Sequence, residues 1–156
     1  MQKVLAVVTS DHTELNGKRT GLWLSELTHF LDVVAKAGLA YDIASPQGGK
    51  VPLDEKSTTE SQLRDPVNVR FLANAGFAAQ LEQSLHGAEV DPSGYVAIYL
   101  SGGHGTMFDF RQSKDVHRLV TAFWSHGQFV AGVCHGVAGL VGATDAKGER
   151  LVKGAP

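Results

Sequence analysis

The chain has 156 residues, of which 43% are hydrophobic, so it is long enough to form one domain with a substantial core. Its 14 basic and 16 acidic side chains give a net charge of −2, and no dense basic cluster favours nucleic-acid binding. No segment approaches the roughly 20 apolar residues that a membrane span needs. We therefore expect a single domain over residues 1–156, without nucleic-acid or membrane partners.

The chain contains one cysteine, which excludes an internal disulfide and favours a reducing compartment. The apolar stretch near the N-terminus, residues 4–8, is too short for the hydrophobic region of a secretory signal. Both observations predict a cytoplasmic protein.

Apolar periodicity predicts a strand, a helix and a second strand in the first part of the chain. Residues 4–8 form a continuous apolar run, typical of a strand buried on both faces, and a polar loop is expected over 9–20. Residues 23–34 carry apolar side chains at three- and four-residue spacing, which predicts a helix that ends before Gly38. The second strand is predicted at 41–44.

The rest of the chain continues this alternation. The polar stretch 50–68 is long for a simple connection and is expected to be a lid or a surface insertion. Helices are predicted over 68–85, weakened by a glycine, and over 114–125. Strands are predicted over 95–100 and over the apolar run 129–133, which we expect to be buried.

Strands that alternate with helices predict an α/β fold: a doubly wound, mostly parallel sheet covered by helices on both faces. In such sheets the reactive groups gather beyond the carboxyl ends of the strands. The polar and glycine-rich motifs of this chain follow strands, so we expect them at that edge.

The lone cysteine ends an apolar run in the pattern Gly132-x-Cys134-x-Gly136. This is the cysteine version of the nucleophile elbow, in which a strand turns sharply into a helix and strains its nucleophile. We expect both glycines to be required because side chains there would clash. Amides at the start of the new helix are expected to favour a thiolate at Cys134. The alternative is a small buried core cysteine, against which the flanking glycines and His135 argue.

Residues 101–106 have the sequence SGGHGT and follow a predicted strand. Their glycines would let backbone amides face a bound oxyanion, and the expected pair of donors is the Gly103 amide and the His135 amide. Gly102 and His104 are further candidates for substrate binding, although His104 could also cap the turn. The alternatives are an ordinary glycine turn or a phosphate loop; the latter lacks the required Lys-Ser/Thr.

Glu26 lies among apolar residues on the first turns of the first helix, where burial would suit a proton shuttle. The residues alone favour a solvated surface position for it. His135 could point away from its neighbour Cys134. No carboxylate that would orient the His135 ring can be identified from the sequence. Asp109 is expected to bond backbone amides in a loop. No histidine shows metal-ligand spacing, so no metal site is predicted.

Together these motifs resemble the ThiJ/PfpI superfamily of class I glutamine-amidotransferase-like proteins, which have a flavodoxin-like fold. The resemblance lies in residues 131–136 (AGVCHG), 101–109 (SGGHGTMFD), 21–26 (GLWLSE) and 51–57 (VPLDEKS). Within the superfamily the chain is similar to the branch of heat-shock chaperones and glyoxalase III enzymes.

The resemblance implies that Cys134 is the nucleophile, that His135 is its adjacent histidine and that Glu26 is the acidic partner of the thiol. It places Gly103 at the oxyanion hole. It implies a glyoxalase that uses no glutathione or other cofactor, acts on methylglyoxal or similar aldehydes, and forms a homodimer. A holding chaperone or cysteine redox sensor, and a hydrolase or hydratase of another small electrophile, are the alternatives.

Relatives usually continue further, with additional strands and a C-terminal helix, whereas this chain ends without a closing element. The third catalytic carboxylate of the branch is expected near or beyond this point, and neither Asp145 nor Glu149 can be assigned to it. If nothing else completes the sheet, an apolar edge is expected to be exposed.

Overall fold

The computed structural model describes residues 1–154 and has a parallel sheet at its centre. The sheet has the order β5-β4-β1-β6-β7, and every neighbouring pair is parallel. A short antiparallel hairpin, β2–β3, lies apart from it. The strands are β1 (Lys3–Val7), β2 (Glu14–Leu15), β3 (Lys18–Arg19), β4 (Ala40–Ser45), β5 (Leu85–His86), β6 (Ala97–Leu100) and β7 (Phe129–Gly132).

Helices cover both faces of the sheet, which confirms the predicted α/β fold class. They are α1 (Leu24–Lys36), α2 (Glu60–Leu63), α3 (Pro66–Leu72), α4 (Ala75–Glu82), α5 (Thr106–Asp109) and α6 (Lys114–Ser125). Four 3₁₀ turns add to them: Glu55–Thr58, Gly87–Glu89, Pro92–Gly94 and Cys134–Leu140.

The two faces of the sheet form two separate apolar cores because side chains alternate along each strand. Leu5 of β1 packs into the core under α6, whereas its neighbour Ala6 packs into the core under α1, α3 and α4. The α6 core includes Leu100, Phe110, Leu119 and Phe123, and the opposite core includes Leu27, Leu31, Phe71 and Phe77.

Two local predictions are wrong. The polar loop expected over 9–20 contains the hairpin β2–β3, whose turn residues Asn16 and Gly17 both have positive φ. An Asn-Gly pair is the usual signal for such a turn. The helix predicted over 68–85 is two helices, because the Asn74 side chain accepts from the Phe77 amide and caps α4.

The stretch 50–68 packs against the rest of the domain and is not a detached lid. It contains a 3₁₀ turn, α2 and the start of α3, and three of its polar residues, Asp54, Ser57 and Asn68, are buried. Buried polar groups need partners, and Ser57 donates to the Asp54 carbonyl while Asn68 donates to Ser25 and the Gln62 carbonyl.

The run 129–133 was expected to be a buried strand, and this is wrong. β7 is the edge strand of the sheet, and Phe129 is 81% exposed. The observation fits the expected exposure of an apolar edge. No helix within residues 1–154 is both long and apolar enough to cross a membrane. Ala155 and Pro156, which belong to the end expected to lack a closing element, lie outside the described residues.

Candidate active site

Three chain segments meet at the carboxyl ends of β1 and β6 and form the walls of the site. They are the segment 52–54, the extended segment 21–23 and the glycine loop that begins at Gly102. The segment 21–23 lies between the other two: the Leu22 amide donates to the Pro52 carbonyl, and the Trp23 amide donates to the Gly102 carbonyl. Asp54 donates its amide to the Leu22 carbonyl. These bonds fix the start of α1, and therefore Glu26, beside the glycine loop 102–105.

The elbow after β7 completes the site and has the strained backbone that its pattern predicts. Cys134 has a φ of +51°, in the left-handed region that residues other than glycine rarely adopt. Its side chain is exposed, so the alternative of a buried core cysteine is wrong. The bend therefore presents the thiol to solvent-borne molecules.

Only one of the two flanking glycines is sterically required. A Cβ added at Gly136 would overlap the Leu100 carbonyl oxygen and lie 2.7 Å from the Ser101 carbonyl oxygen. A Cβ at Gly132 would make an ordinary contact of 3.4 Å with Val137. The expectation that both glycines are needed is therefore wrong for Gly132, because β7 is an edge strand with room beside it.

Glu26 lies against the thiol, not in solvent. Its Oε2 is buried and unpartnered within residues 1–154, and a Cβ added at Gly102 would overlap it while lying 2.8 Å from the Cys134 Cβ. Burial raises the pKa of the Glu26 carboxyl, while interactions with the Cys134 thiol, the Gly102 amide and the nearby histidines act in the opposite direction. The surface position that the residues alone favoured is wrong.

The expected oxyanion donors lie close to the sulfur. The His135 and Gly103 amides both interact with the Cys134 sulfur in the direction that lowers its pKa. Gly103 has a φ of +115°, and a side chain there would overlap the Gly21 carbonyl oxygen. The two amides can therefore converge on an oxygen atom bound beside the thiol.

The thiolate that the sequence predicted is not favoured in this arrangement. Desolvation raises the pKa of Cys134, and the Glu26 carboxylate raises it further, against the smaller effect of the two amides. The segment after the bend is a 3₁₀ turn, Cys134–Leu140, rather than an α-helix. Its few aligned peptide dipoles stabilise an anion less than the expected helix would.

His135 points towards the cysteine and connects it with two further groups. Its Nδ1 lies 3.2 Å from the Cys134 sulfur, so the possibility that the ring points away is excluded. The rings of His104 and His135 pack with centroids 4.6 Å apart. Nδ1 of His104 lies 3.7 Å from Oδ2 of Asp54, whose side chain is only 3% exposed.

Asp54 is the residue that the sequence reasoning missed. Its segment contributed only to the family resemblance, although an Asp that starts a short turn is a recognisable capping signal. Its Oδ1 accepts from the Lys56 amide, so the other oxygen is left to face His104.

Asp109 bonds a backbone amide as predicted, but it lies in α5 rather than in a loop. Its Oδ2 accepts from the Ser10 amide and from the Thr9 hydroxyl, at 2.8 and 2.9 Å. Burial raises the pKa of Asp109 to about 6. The residue attaches the loop after β1 to α5 beside the glycine loop.

Asp145 and Glu149 lie in a turn of their own. Asp145 accepts from the Lys147 and Glu149 amides, and the Glu149 carboxylate bonds to Lys153. Within residues 1–154 neither carboxylate forms a hydrogen bond or an ion pair with Cys134 or His135. Throughout residues 1–154, no group of three or more His, Cys, Asp or Glu side chains could hold a metal ion.

A cavity borders the segment 50–53, and Cys134 is not among its lining residues. It has a volume of about 740 Å³, and Ser10, Thr20 and Lys50 are among its lining residues. A much smaller cavity shares Arg19 and Thr20 with it and is lined by Asp54 and His104.

The chain is similar in sequence and in fold to known proteins. A model of the DJ-1/PfpI family matches residues 18–153. The chain is 33% identical to Glyoxalase 3 of Candida albicans over 99% of its own length, and 32% identical to glutathione-independent glyoxalase HSP31 of Saccharomyces cerevisiae over 98%. It superposes on the Rapid Encystment Protein 24 KDa of Francisella tularensis with a TM-score of 0.90 and 35% identity, covering 97% of this chain and 67% of that one.

The chain spans 66% of the length of these two curated relatives. The comparisons confirm the family that the motifs predicted, and with it the fold.

Proposed function

Because the chain belongs to the DJ-1/PfpI family, we propose that it is a cofactor-independent glyoxalase that converts methylglyoxal or a similar 2-oxoaldehyde to the hydroxy acid. The observation that carries the proposal is the convergence of an exposed thiol, a buried carboxyl and two backbone amides at one point. The names of the two curated relatives support the same activity.

The first step is attack of the Cys134 sulfur on the aldehyde carbon. A C–S bond forms, and the aldehyde oxygen becomes an oxyanion that the Gly103 and His135 amides stabilise. The thiol proton goes to Nδ1 of His135, 3.2 Å away. Because desolvation and the Glu26 carboxylate raise the pKa of the thiol, this proton transfer is needed to generate the nucleophile.

The second step moves a proton between the two carbons of the substrate. The Glu26 carboxylate removes the proton from the former aldehyde carbon and returns it to the former ketone carbon, through an enediol. The first carbon is thereby oxidised to a thioester, and the second is reduced to an alcohol whose oxygen takes the proton that His135 received in the first step. No external oxidant or reductant is required, since the oxidation and the reduction balance within the substrate.

Water then attacks the thioester carbon and the C–S bond breaks; the water hydroxyl stays on the acid, and the other proton of the water goes to the sulfur. For methylglyoxal the product is lactate. Gly102 and His104 line the space beside the thiol, and we assign them to substrate binding.

The test is lactate formation from methylglyoxal without glutathione. We expect turnover by the wild type and a loss of about a thousandfold or more in Cys134→Ala. Glu14→Gln, in the exposed hairpin, is the matched surface control and should keep full activity. Equal rates in the wild type and Cys134→Ala would disprove the proposal. Turnover of an isonitrile or amide instead of methylglyoxal would favour the hydrolase or hydratase alternative.

We also propose that the protein is a homodimer in the cytoplasm. An exposed free thiol supports a reducing compartment. Apolar side chains exposed on β7 and on the elements packed against it support association; they are Trp124, Phe129, Val137 and Val141. Light scattering should give twice the chain mass, and Phe129→Lys should shift it towards the monomer.

The same apolar surface supports holding of denatured proteins as a second candidate function. Suppression of client aggregation should then survive Cys134→Ala and fall in Phe129→Lys. Aggregation that proceeds equally with and without the protein would exclude this function.

A further inference from the structure

We propose that Asp54 is a positioning residue that acts through His104: its carboxylate balances the single positive charge that His104 and His135 carry once Cys134 gives up its proton. The inference rests on the proposed function for its kinetic consequences. Its electrostatic part concerns the thiol alone and can be tested without substrate.

A continuous chain of contacts runs from the thiol to Asp54. Cys134 contacts His135 at 3.2 Å, the His135 ring packs on His104 at 4.6 Å, and His104 lies 3.7 Å from Asp54. The last distance is that of an ion pair rather than a direct hydrogen bond. Within residues 1–154 Asp54 forms no hydrogen bond or ion pair with Cys134 or His135, so the chain of contacts that joins it to the thiol runs through His104.

Proton transfer changes the charge along this chain of contacts. In the proposed reaction His135 takes the proton of Cys134, which puts a positive charge on a ring whose centroid lies 4.6 Å from that of His104. A charge in this partly buried position is costly without an opposite charge nearby. The thiolate–imidazolium state therefore depends on a neighbouring carboxylate that remains ionised.

Two carboxylates lie close enough to serve, and only one can act throughout the reaction. Glu26 interacts electrostatically with both histidines, which act to lower its pKa. It gains and loses a proton during turnover, however, so its negative charge is not constant. Asp54 takes no part in proton transfer, and its side chain is 3% exposed. The remaining charged neighbours are Lys18, Arg19 and Lys56, which line the small cavity but lie exposed, where solvent weakens their effect.

Asp54 is held in a fixed orientation. Its amide donates to the Leu22 carbonyl, and its Oδ1 accepts from the Lys56 amide, so both ends of the residue are fixed. Oδ2 is thereby directed to His104. Asp54 is therefore a second carboxylate at the site besides Glu26, in a segment far from Asp145 and Glu149 along the chain.

The experiment compares Asp54→Asn with Asp91→Asn. Asparagine keeps a capping oxygen and removes the charge, so the Asp54 variant should fold. Asp91 is the matched control because its Oδ1 accepts from the Ser93 amide in the same way, before β6 and at the opposite end of the sheet. Both variants are checked by urea unfolding, then assayed for methylglyoxal turnover and for the pH dependence of Cys134 alkylation by iodoacetamide.

We expect kcat to fall roughly tenfold in Asp54→Asn, with KM within about twofold of the wild type. The pH midpoint of Cys134 alkylation should rise, since the thiolate–imidazolium state loses its counter-charge. In a His104→Asn background, Asp54→Asn should change both readouts less than about twofold, because the residue acts through His104. Asp91→Asn should match the wild type.

Two results would overturn the inference. One is an alkylation midpoint in Asp54→Asn equal to that of Asp91→Asn, and the other is an undiminished effect of Asp54→Asn when His104 is already replaced. If Asp54→Asn does not fold, His104→Asn alone decides: the inference requires its alkylation midpoint to rise. A wild type that does not turn over methylglyoxal contradicts the proposed function only, because the alkylation experiment needs no substrate.

Discussion

Glu26 and Cys134 meet across Gly102, although they lie near opposite ends of the chain. Gly102 has no side chain to separate them: a Cβ there would overlap Oε2 of Glu26 and lie 2.8 Å from the Cys134 Cβ. The contact between the proposed base and the proposed nucleophile therefore depends on this one glycine.

The first prediction follows from this relationship. Gly102→Ala should lower methylglyoxal turnover about a hundredfold or more, because the added methyl group displaces Glu26 from the thiol. Gly94→Ala is the matched control, since a Cβ at that position meets nothing within 4 Å. Full activity in Gly102→Ala would show that the Glu26–Cys134 contact is not needed for turnover.

The second prediction separates the two glycines of the elbow. Gly136→Ala should destabilise the protein by about 3 kcal/mol, because its Cβ would overlap the Leu100 carbonyl oxygen. Gly132→Ala should cost less than about 1 kcal/mol, since its nearest contact is 3.4 Å. Urea unfolding of both variants measures the difference. Equal losses of stability would mean that the motif is not governed by these contacts.

The third prediction concerns the effect of Glu26 on the acidity of the thiol. The Glu26 carboxylate raises the pKa of Cys134, so Glu26→Gln should move the midpoint of Cys134 alkylation to lower pH. Turnover should nevertheless fall about a hundredfold or more, because the proton shuttle is lost. Glu14→Gln should leave both measurements unchanged. A rise in the midpoint of Glu26→Gln would contradict the arrangement described here.

The fourth prediction uses the buried carboxyl of Asp109. Its pKa is raised from an ordinary 3.8 to about 6, so its contribution to stability is present below pH 3.8 and is lost as pH rises through 6. Between pH 4.5 and 7.5 the wild type should therefore lose about 2 kcal/mol of unfolding free energy relative to Asp109→Asn.

Urea unfolding at several pH values measures this difference. Asp145→Asn is the control, because Asp145 also accepts backbone amides but lies in a separate turn. If the stabilities of the wild type and Asp109→Asn run parallel across this pH range, Asp109 does not carry the raised pKa.

The fifth prediction tests the strain at the elbow. Cys134 has a φ of +51°, which glycine adopts without cost and alanine does not. Cys134→Gly should therefore be more stable than Cys134→Ala by about 0.5–1 kcal/mol, with both inactive. Thermal unfolding of the two variants provides the measurement, and greater stability of the alanine variant would argue against a left-handed residue here.

The sequence by itself determined the alternation of strands and helices, the family and the elbow at Cys134. These features follow from local sequence patterns. Apolar periodicity determines whether a segment is a strand or a helix, and Gly136 is needed because the bend brings the Leu100 carbonyl oxygen close to it. The helix Lys114–Ser125 begins and ends where its apolar spacing predicted.

Only the tertiary structure decided which groups surround the thiol and what they do to it. Glu26 and Asp54 reach the site through segments that pair by backbone hydrogen bonds far apart in sequence, and no local pattern encodes that pairing. The pKa of Cys134 is raised because of desolvation and of the nearby Glu26 carboxylate, and the predicted α-helix that would have lowered it does not form. The exposure of β7 likewise depends on its place at the edge of the sheet, because an apolar run fixes a strand but not its neighbours.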